Sequence, residues 1–211
     1  MLAALYAVFL YAPTERVMGQ VQRIFYFHIP SAWVGFLAFF ASFVAGIGYV
    51  LRRRRALDIV TTASLEIGVL FSTIVLLSGS LWARPVWNTW WTWDPRLTAT
   101  LVMWIYYASV LLLRGLVNEE EMRARYTAVL SIIGFVNVPI VFMAIRWWRT
   151  IHPLLFGAQG MSLEPPMIWT LLISLLAFTL LYACLLVYRV RLELLEDALD
   201  MLRRELAEQR T

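Results

Sequence analysis

Apolar runs separated by short polar stretches dominate the chain, and their lengths predict membrane-spanning helices. A helix needs about 20 apolar residues to cross the roughly 30 Å hydrocarbon core of a bilayer. The runs lie at roughly residues 1–12, 24–51, 59–82, 96–117, 126–148 and 166–190. The first is short, since about 12 helical residues rise only about 18 Å, so it is truncated, extended by the residues that follow or not fully spanning. The pattern predicts an all-α fold: a polytopic membrane helix bundle of six transmembrane helices.

The composition supports lipid as the solvent of this bundle. Apolar residues make up 61% of the chain and charged residues 15%, whereas soluble domains are about 45–50% apolar and about 25% charged. A single cysteine, Cys184, lies inside an apolar run, so no disulfide can form within the chain. The composition therefore excludes an ordinary soluble enzyme and predicts contact with membrane lipid.

The arginines predict the orientation of the bundle. All 18 basic residues are arginine, and 12 of them lie in the connections near 52–58 and 114–125 or in the tail after 189. Basic residues concentrate on the cytoplasmic side of membrane proteins. The loops near 13–23, 83–95 and 149–165 are therefore predicted to face outward. Because the arginines lie where helices leave the bilayer, the net charge of +4 indicates topology and not a nucleic-acid partner.

The last part of the chain has a different pattern. Its leucines recur at alternating spacings of three and four with charged residues between them, at Leu192, Leu195, Leu199, Leu202 and Leu206. This spacing predicts an amphipathic helix. We therefore divide the chain into a membrane domain, 1–190, and a cytoplasmic amphipathic helical tail, 191–211. The tail either lies on the membrane or on its own cytoplasmic loops, or forms a docking surface for a partner subunit.

A tryptophan-rich segment follows the third span. Five of the ten tryptophans lie in residues 82–96, and Trp87, Trp90, Trp91 and Trp93 fall within seven residues. Tryptophan is common wherever a helix end meets lipid headgroups, but such a belt is spread over all helix ends. A concentrated set of indoles favours a binding surface for a large, flat, apolar ligand.

The end of this segment predicts a helix start and a ligand contact. Asp94 is a favoured N-cap and Pro95 suits the first helical turn, so the pair predicts the start of the fourth span. Arg96 follows in the first turn, where the helix dipole disfavours a cation. We therefore expect Arg96 to have another task, such as binding a carboxylate.

The two histidines lie beside the predicted outward loops. His28 is at the outer end of the second span and His152 follows the fifth. A lone histidine is usually structural, but two at one depth beside an aromatic surface could supply both axial ligands of a haem iron. A zinc site is disfavoured because zinc normally takes three or four protein ligands. Arginines on the same face could bind the two haem propionates: Arg23, Arg84, Arg96 and Arg149.

Several blocks together resemble the CcmC family, the WWD-motif haem-handling proteins of bacterial cytochrome c maturation system I. The blocks are residues 87–98 (WNTWWTWDPRLT), residues 23–30 (RIFYFHIP), residues 137–140 (NVPI) and Trp147-Trp148 before His152. The sequence departs from the family pattern at Asn88, where the family usually has glycine, and at Pro95, where it usually has alanine.

The resemblance implies a haem b-binding assembly factor in the bacterial inner membrane, with its site facing the periplasm. Carried onto this chain, the axial ligands are His28 and His152, and the supporting cations are Arg23 and Arg96. The tryptophan surface consists of Trp87, Trp90, Trp91, Trp93 and Asp94. Proteins of this family deliver haem to the chaperone CcmE and work beside the ATPase CcmA, the membrane subunit CcmB and the small protein CcmD. They are not enzymes in the narrow sense.

Two other functions remain open on sequence grounds. The chain could be a permease subunit that itself moves haem or another hydrophobic cargo, or a membrane electron carrier with a bis-histidine haem. A carrier would favour histidines within the helices and not at their ends. Glu66, about two turns into the third span, is expensive in a bilayer unless paired or hydrated. It could face partner helices or reach the headgroups, or it could take part in haem entry or in contact with another subunit.

Overall fold

Five helical segments in the described part of the chain are long and apolar enough to cross a membrane. A computed structural model describes residues 1–152, 156–157, 160–161 and 163–209. The five segments are Gln20–Arg52, Arg55–Trp87, Pro95–Leu116, Glu120–Trp147 and Pro165–Glu208. The predicted all-α membrane bundle is confirmed, and five of the six predicted spans have the length required.

The helices are almost the whole of the described structure. They are α1 (Leu2–Tyr6), α2 (Phe25–Arg52), α3 (Arg55–Trp87), α4 (Pro95–Leu116), α5 (Glu120–Gly134), α6 (Asn137–Trp147) and α7 (Pro165–Glu208). A π-helical turn, Ala7–Tyr11, continues α1, and a 3₁₀ segment, Gln20–Ile24, leads into α2. Two antiparallel two-residue strands, β1 (Phe156–Gly157) and β2 (Gly160–Met161), lie between α6 and α7.

The first predicted span is a short helix that packs on the last one. The apolar helical stretch Leu2–Tyr11 is too short to count among the spans. It is followed by Pro13, which has no N–H to donate. Val8 is fully buried and clusters with Met167 and Leu171 at the start of α7.

Helices α2 and α3 pack closely through small residues. A Cβ at Gly68 would lie 2.5 Å from the Phe39 ring, and one at Gly35 would lie 3.1 Å from Ser72 Oγ. Small residues let helix backbones approach in membranes, where packing drives association. Phe39 in turn stacks on Tyr107 of α4, with ring centroids 3.9 Å apart. These contacts form the centre of the bundle, while many large apolar side chains point outward, as expected for lipid-facing helices.

The fifth predicted span is interrupted. The sequence predicts one helix over 126–148, but α5 ends at Gly134 and α6 begins at Asn137. Pro139 explains the break, because its ring would clash with the carbonyl of Phe135 in a continuous helix. The Asn137 side chain donates to the Gly134 carbonyl at 3.2 Å across the interruption.

At the arginine-rich end of the bundle, a buried carboxylate joins three helices. Asp58 on α3 is buried, and it accepts hydrogen bonds from Arg114 of α4 at 2.8 and 3.0 Å. Arg55 donates to the same carboxylate at 2.6 Å. Arg114 also donates to Thr127 of α5 at 3.1 Å. Because two cations face Asp58, their attraction offsets the free-energy cost of burying its carboxylate.

The predicted tail is continuous with the last span and contacts this same end. Arg55 donates to Asp197 with two hydrogen bonds of 3.0 Å and to Glu193 at 3.3 Å. Arg189 donates to Glu66 at 2.6 and 3.1 Å, which gives Glu66 a partner helix as the first interpretation expected. The tail leucines named above stay about half exposed or more. The division into residues 1–190 and 191–211 remains a prediction, because α7 runs through it unbroken.

Candidate functional site: a cleft between two histidines

A cleft opens at the end of the bundle that carries both histidines. It lies between α2, α3, α4 and α6. Its empty volume is about 1050 Å³, which includes the open solvent at its mouth. Its walls are largely apolar. The lining residues are Phe25, His28, Ile29, Ala32, Phe36, Ser72, Val75, Leu76, Gly79, Ser80, Trp82, Trp87, Trp91, Arg96, Leu97, Thr100, Met103, Val141 and His152. Among the described residues, the structure therefore brings His28 and His152 to one site.

His28 reaches the cleft from the first turn of α2. The 3₁₀ segment Gln20–Ile24 precedes this turn, and the imidazole contacts α3. Its Nδ1 lies 2.9 Å from Ser78 Oγ. Gly79 leaves room for the ring, since a Cβ there would lie 3.1 Å from His28 Cε1.

His152 is held from the other side by the tryptophan loop. Asp94 Oδ2 accepts from the Thr150 hydroxyl at 2.6 Å and from the Ile151 N–H at 3.0 Å. Thr150 Oγ1 in turn accepts from the His152 N–H at 3.0 Å. The loop before α4 thus fixes the backbone that carries His152.

Asp94 performs two tasks at once. As predicted, it caps α4, because its Oδ1 accepts from the Arg96 N–H at 3.0 Å. Asp94 is only 8% exposed, and this burial by itself raises the pKa of its carboxyl group. The hydrogen bonds from Thr150, Ile151 and Arg96 outweigh burial, so the net pKa of Asp94 lies below its ordinary value. The carboxylate form is therefore the one that ties the two loops together.

The four predicted tryptophans divide into two pairs. Trp87 and Trp91 line the cleft. Trp90 and Trp93 are 56% and 76% exposed and do not line it. Trp93 meets the Trp91 ring edge-to-face at 6.0 Å, and the Arg84 guanidinium lies 5.9 Å from the Trp90 ring centre. Only half of the predicted indole surface therefore faces the site.

The predicted loop 83–95 is also shorter in the structure. Residues 83–87 belong to the last turns of α3, so the irregular segment begins at Asn88. Asn88 has a left-handed backbone with φ of 56°, a conformation that asparagine tolerates better than most residues. Because Trp87 lies on a helix, its ring is directed by α3 and packs edge-to-face on Trp82 at 5.0 Å.

The two predicted cations have different positions. Arg96 lines the cleft, and its guanidinium interacts electrostatically with Asp94, two residues earlier. Arg23 instead donates to the Val8 carbonyl and to Gln20, and it is absent from the cleft lining. Arg23 thereby ties the first helix to the start of α2. Of the two predicted cations, only Arg96 therefore lines the cleft.

The donor set limits what the cleft can hold. Within the described residues, no group of three or more His, Cys, Asp or Glu side chains is placed to hold a metal ion. Two imidazoles, three indoles and one guanidinium around an apolar space instead suit a flat apolar ligand that brings its own metal with two free axial positions.

Sequence reasoning missed Ser78, Gly79 and Thr150, and it included Trp82 in the tryptophan-rich segment without assigning it to the site. The small-residue triplet 78–80 near the end of an apolar span was the available signal for close contact with another helix. No signal pointed to Thr150, because its role depends on the position of Asp94, 56 residues earlier.

Comparison with known proteins identifies the family of this chain. The model of the CcmC family, described as heme exporter protein C, matches residues 1–205. Heme exporter protein C of Escherichia coli is 36% identical over 185 residues, covering 86% of this chain and 74% of the relative. The Bradyrhizobium diazoefficiens protein of the same name is 34% identical over 186 residues, covering 87% and 71%.

A more distant relative comes from a plant. A ccmC-like mitochondrial protein of cytochrome c biosynthesis from Marchantia polymorpha is 30% identical over 149 residues, covering 71% of this chain and 63% of the relative. Since the family model spans nearly the whole sequence and the bacterial relatives align over most of their length, this chain belongs to the CcmC family of heme exporter protein C.

Proposed function

We propose that this chain is a haem-handling protein of cytochrome c maturation that binds haem b in the cleft, with His28 and His152 as axial ligands. The observation that carries the proposal is that one apolar cleft is lined by both histidines. Imidazole is a common axial ligand of haem iron, and a flat macrocycle would fill the space between the two rings. Haem is the cargo in this proposal and not a resident cofactor.

The other cleft residues would orient the macrocycle. Trp87 and Trp91 offer broad apolar faces with few rotatable bonds. Arg96 would pair with a propionate, because its guanidinium matches a carboxylate in shape and charge. Trp90 and Trp93, exposed beside the cleft, would contact the acceptor that receives the haem.

The route of the cargo is part of the same proposal. The chain would work in a bacterial inner membrane, with the cleft facing the periplasm, and would deliver haem to the chaperone CcmE. The positive-inside pattern of the arginines supports this orientation. CcmA, CcmB and CcmD would be its partners, with ATP hydrolysis on CcmA and not on this chain.

Absorption spectra of the detergent-purified protein test the proposal. The wild type should show a Soret band whose position or intensity changes in His28→Ala and in His152→Ala. Trp169→Ala, an exposed tryptophan on α7 outside the cleft, is the matched control and should leave the band unchanged. Unchanged bands in both histidine variants would refute axial ligation by these residues.

The alternative is a permease subunit that moves haem through the bilayer itself, which the name of the relatives favours. Phe39, Leu65 and Tyr107, however, pack in one buried apolar cluster within the bundle, which argues against a polar path through it. Proteoliposomes loaded with haem on one side separate the two functions. Appearance of haem on the far side without partner subunits would support the permease.

A further inference from the structure

His28 is contacted by α3 through a side-chain hydrogen bond to Ser78, and its ring also interacts with the Val75 backbone. Its Nδ1 lies 2.9 Å from Ser78 Oγ. The distance alone does not say which atom donates, because a neutral imidazole carries its proton on either nitrogen and a hydroxyl can donate or accept. The other partners of Ser78 settle this direction.

The Ser78 hydroxyl proton is already used within its own helix. Ser78 Oγ lies 2.6 Å from the Ile74 carbonyl oxygen and 3.3 Å from that of Val75, both as a donor. A hydroxyl has one proton, so while Ser78 donates to the Ile74 carbonyl its oxygen accepts from Nδ1–H. A neutral imidazole protonated at Nδ1 has an unprotonated Nε2, whose lone pair can bind a metal.

We propose that Ser78 is a positioning residue that fixes His28 in its Nδ1–H tautomer and so presents Nε2 to the haem iron; this rests on the proposed function. An acceptor on the second nitrogen orients a ligating imidazole and raises its basicity. Gly79 supports the same arrangement. A Cβ at that position would lie 3.1 Å from Cε1 and 3.7 Å from Nδ1 of His28, so any larger residue would press on the ring edge beside Ser78.

The tautomer can be measured without haem. Nitrogen NMR of ¹⁵N-histidine-labelled protein in nanodiscs distinguishes protonated from unprotonated ring nitrogens, and the His152→Ala variant assigns the signals of His28. The haem-free wild type should show the Nδ1–H form. Ser78→Ala should lose that preference, and Ser78→Thr, which keeps a hydroxyl, should retain it.

The consequence for ligation is measured by haem titration of the same variants. Ser78→Ala should bind ferric haem about 10-fold or more weakly, the range expected when the partner of a ligating histidine is removed. Ser109→Ala is the matched control, since Ser109 makes the same bond to the carbonyl four residues earlier, on Ile105, but is absent from the cleft lining. It should change neither the tautomer nor the affinity.

Three results would each count against the proposal. One is an Nε2–H tautomer in the wild type, and another is a Ser78→Ala variant with unchanged tautomer or unchanged ferric haem affinity. A folded Ser78→Thr variant that lost the Nδ1–H form would count against it too. Failure of the proposed function is recognised separately, because it appears as unchanged haem binding in His28→Ala, whatever tautomer the haem-free protein shows.

Discussion

Asp94 and Thr150 join the two loops of the cleft, with the Thr150 hydroxyl donating to Asp94 Oδ2 at 2.6 Å. Thr150 then accepts from the backbone N–H of His152 at 3.0 Å. The acidic residue of the tryptophan-rich motif therefore acts on His152 through a threonine, and the tryptophan loop and the second histidine form one mechanical unit.

Removal of the Thr150 hydroxyl should loosen His152. Thr150→Val keeps the shape of the side chain but leaves Asp94 Oδ2 and the His152 N–H without this partner. We expect ferric haem affinity to fall about 10-fold, by analogy with other supporting contacts of metal ligands. Haem titration measures the change in affinity, and Thr150→Ser, which keeps the hydroxyl, should retain most of the wild-type affinity. Wild-type affinity in Thr150→Val would show that the link has no influence on ligation.

The Asp94 link should persist in mild acid. Because hydrogen bonding lowers the pKa of Asp94 in the folded protein, the stability it contributes is fully present above the ordinary aspartate pKa of about 3.9. It is lost as the pH falls through the lowered folded value. The amide nitrogen shift of Ile151, which donates to Asp94, should therefore stay constant to about pH 4 and titrate below it. A midpoint above pH 4 would contradict the lowered pKa.

The two classes of tryptophan should separate binding from transfer. Trp91→Ala removes a wall of the cleft and should weaken haem binding, whereas Trp93→Ala removes a side chain that is 76% exposed and should leave binding nearly intact. Rates of haem transfer to purified acceptor should fall in both variants. Soret titration and stopped-flow absorbance measure the two steps. Equal loss of binding in the two variants would mean that Trp93 also contacts the haem.

Arg96 should recognise the acid groups of the ligand. Arg96→Gln should lower the affinity for haem but leave the affinity for haem dimethyl ester unchanged, because the ester has no carboxylate for the guanidinium to pair with. Arg16→Gln, an exposed arginine absent from the cleft lining, is the control and should affect neither ligand. Equal losses for haem and its ester in Arg96→Gln would show that Arg96 acts through packing.

Most of the membrane architecture followed from the sequence, because a run of about 20 apolar residues has few alternatives to a spanning helix. Convergence of His28 and His152 was also expected, since both lie at span ends on one predicted face. The exposure of Trp90 and Trp93 was not expected, because the sequence of a loop does not show which way its side chains point. Ser78 and Thr150 escaped notice because their roles arise from partners 50 and 56 residues away along the chain.

The buried Asp58 should be decisive for stability at the far end of the bundle. Asp58→Asn would leave Arg114 and Arg55 facing a neutral group, and loss of one partner in a buried ion pair costs about 3–5 kcal/mol. Asp200→Asn, which breaks an exposed pair with Arg203, should cost under about 1 kcal/mol. Denaturation in detergent, followed by circular dichroism, compares the two variants. Since Arg55 also binds Asp197 and Glu193 of the tail, Asp58→Asn should in addition increase the rate of proteolysis of the tail. An unchanged rate of proteolysis would limit the role of Asp58 to the α3–α4 contact.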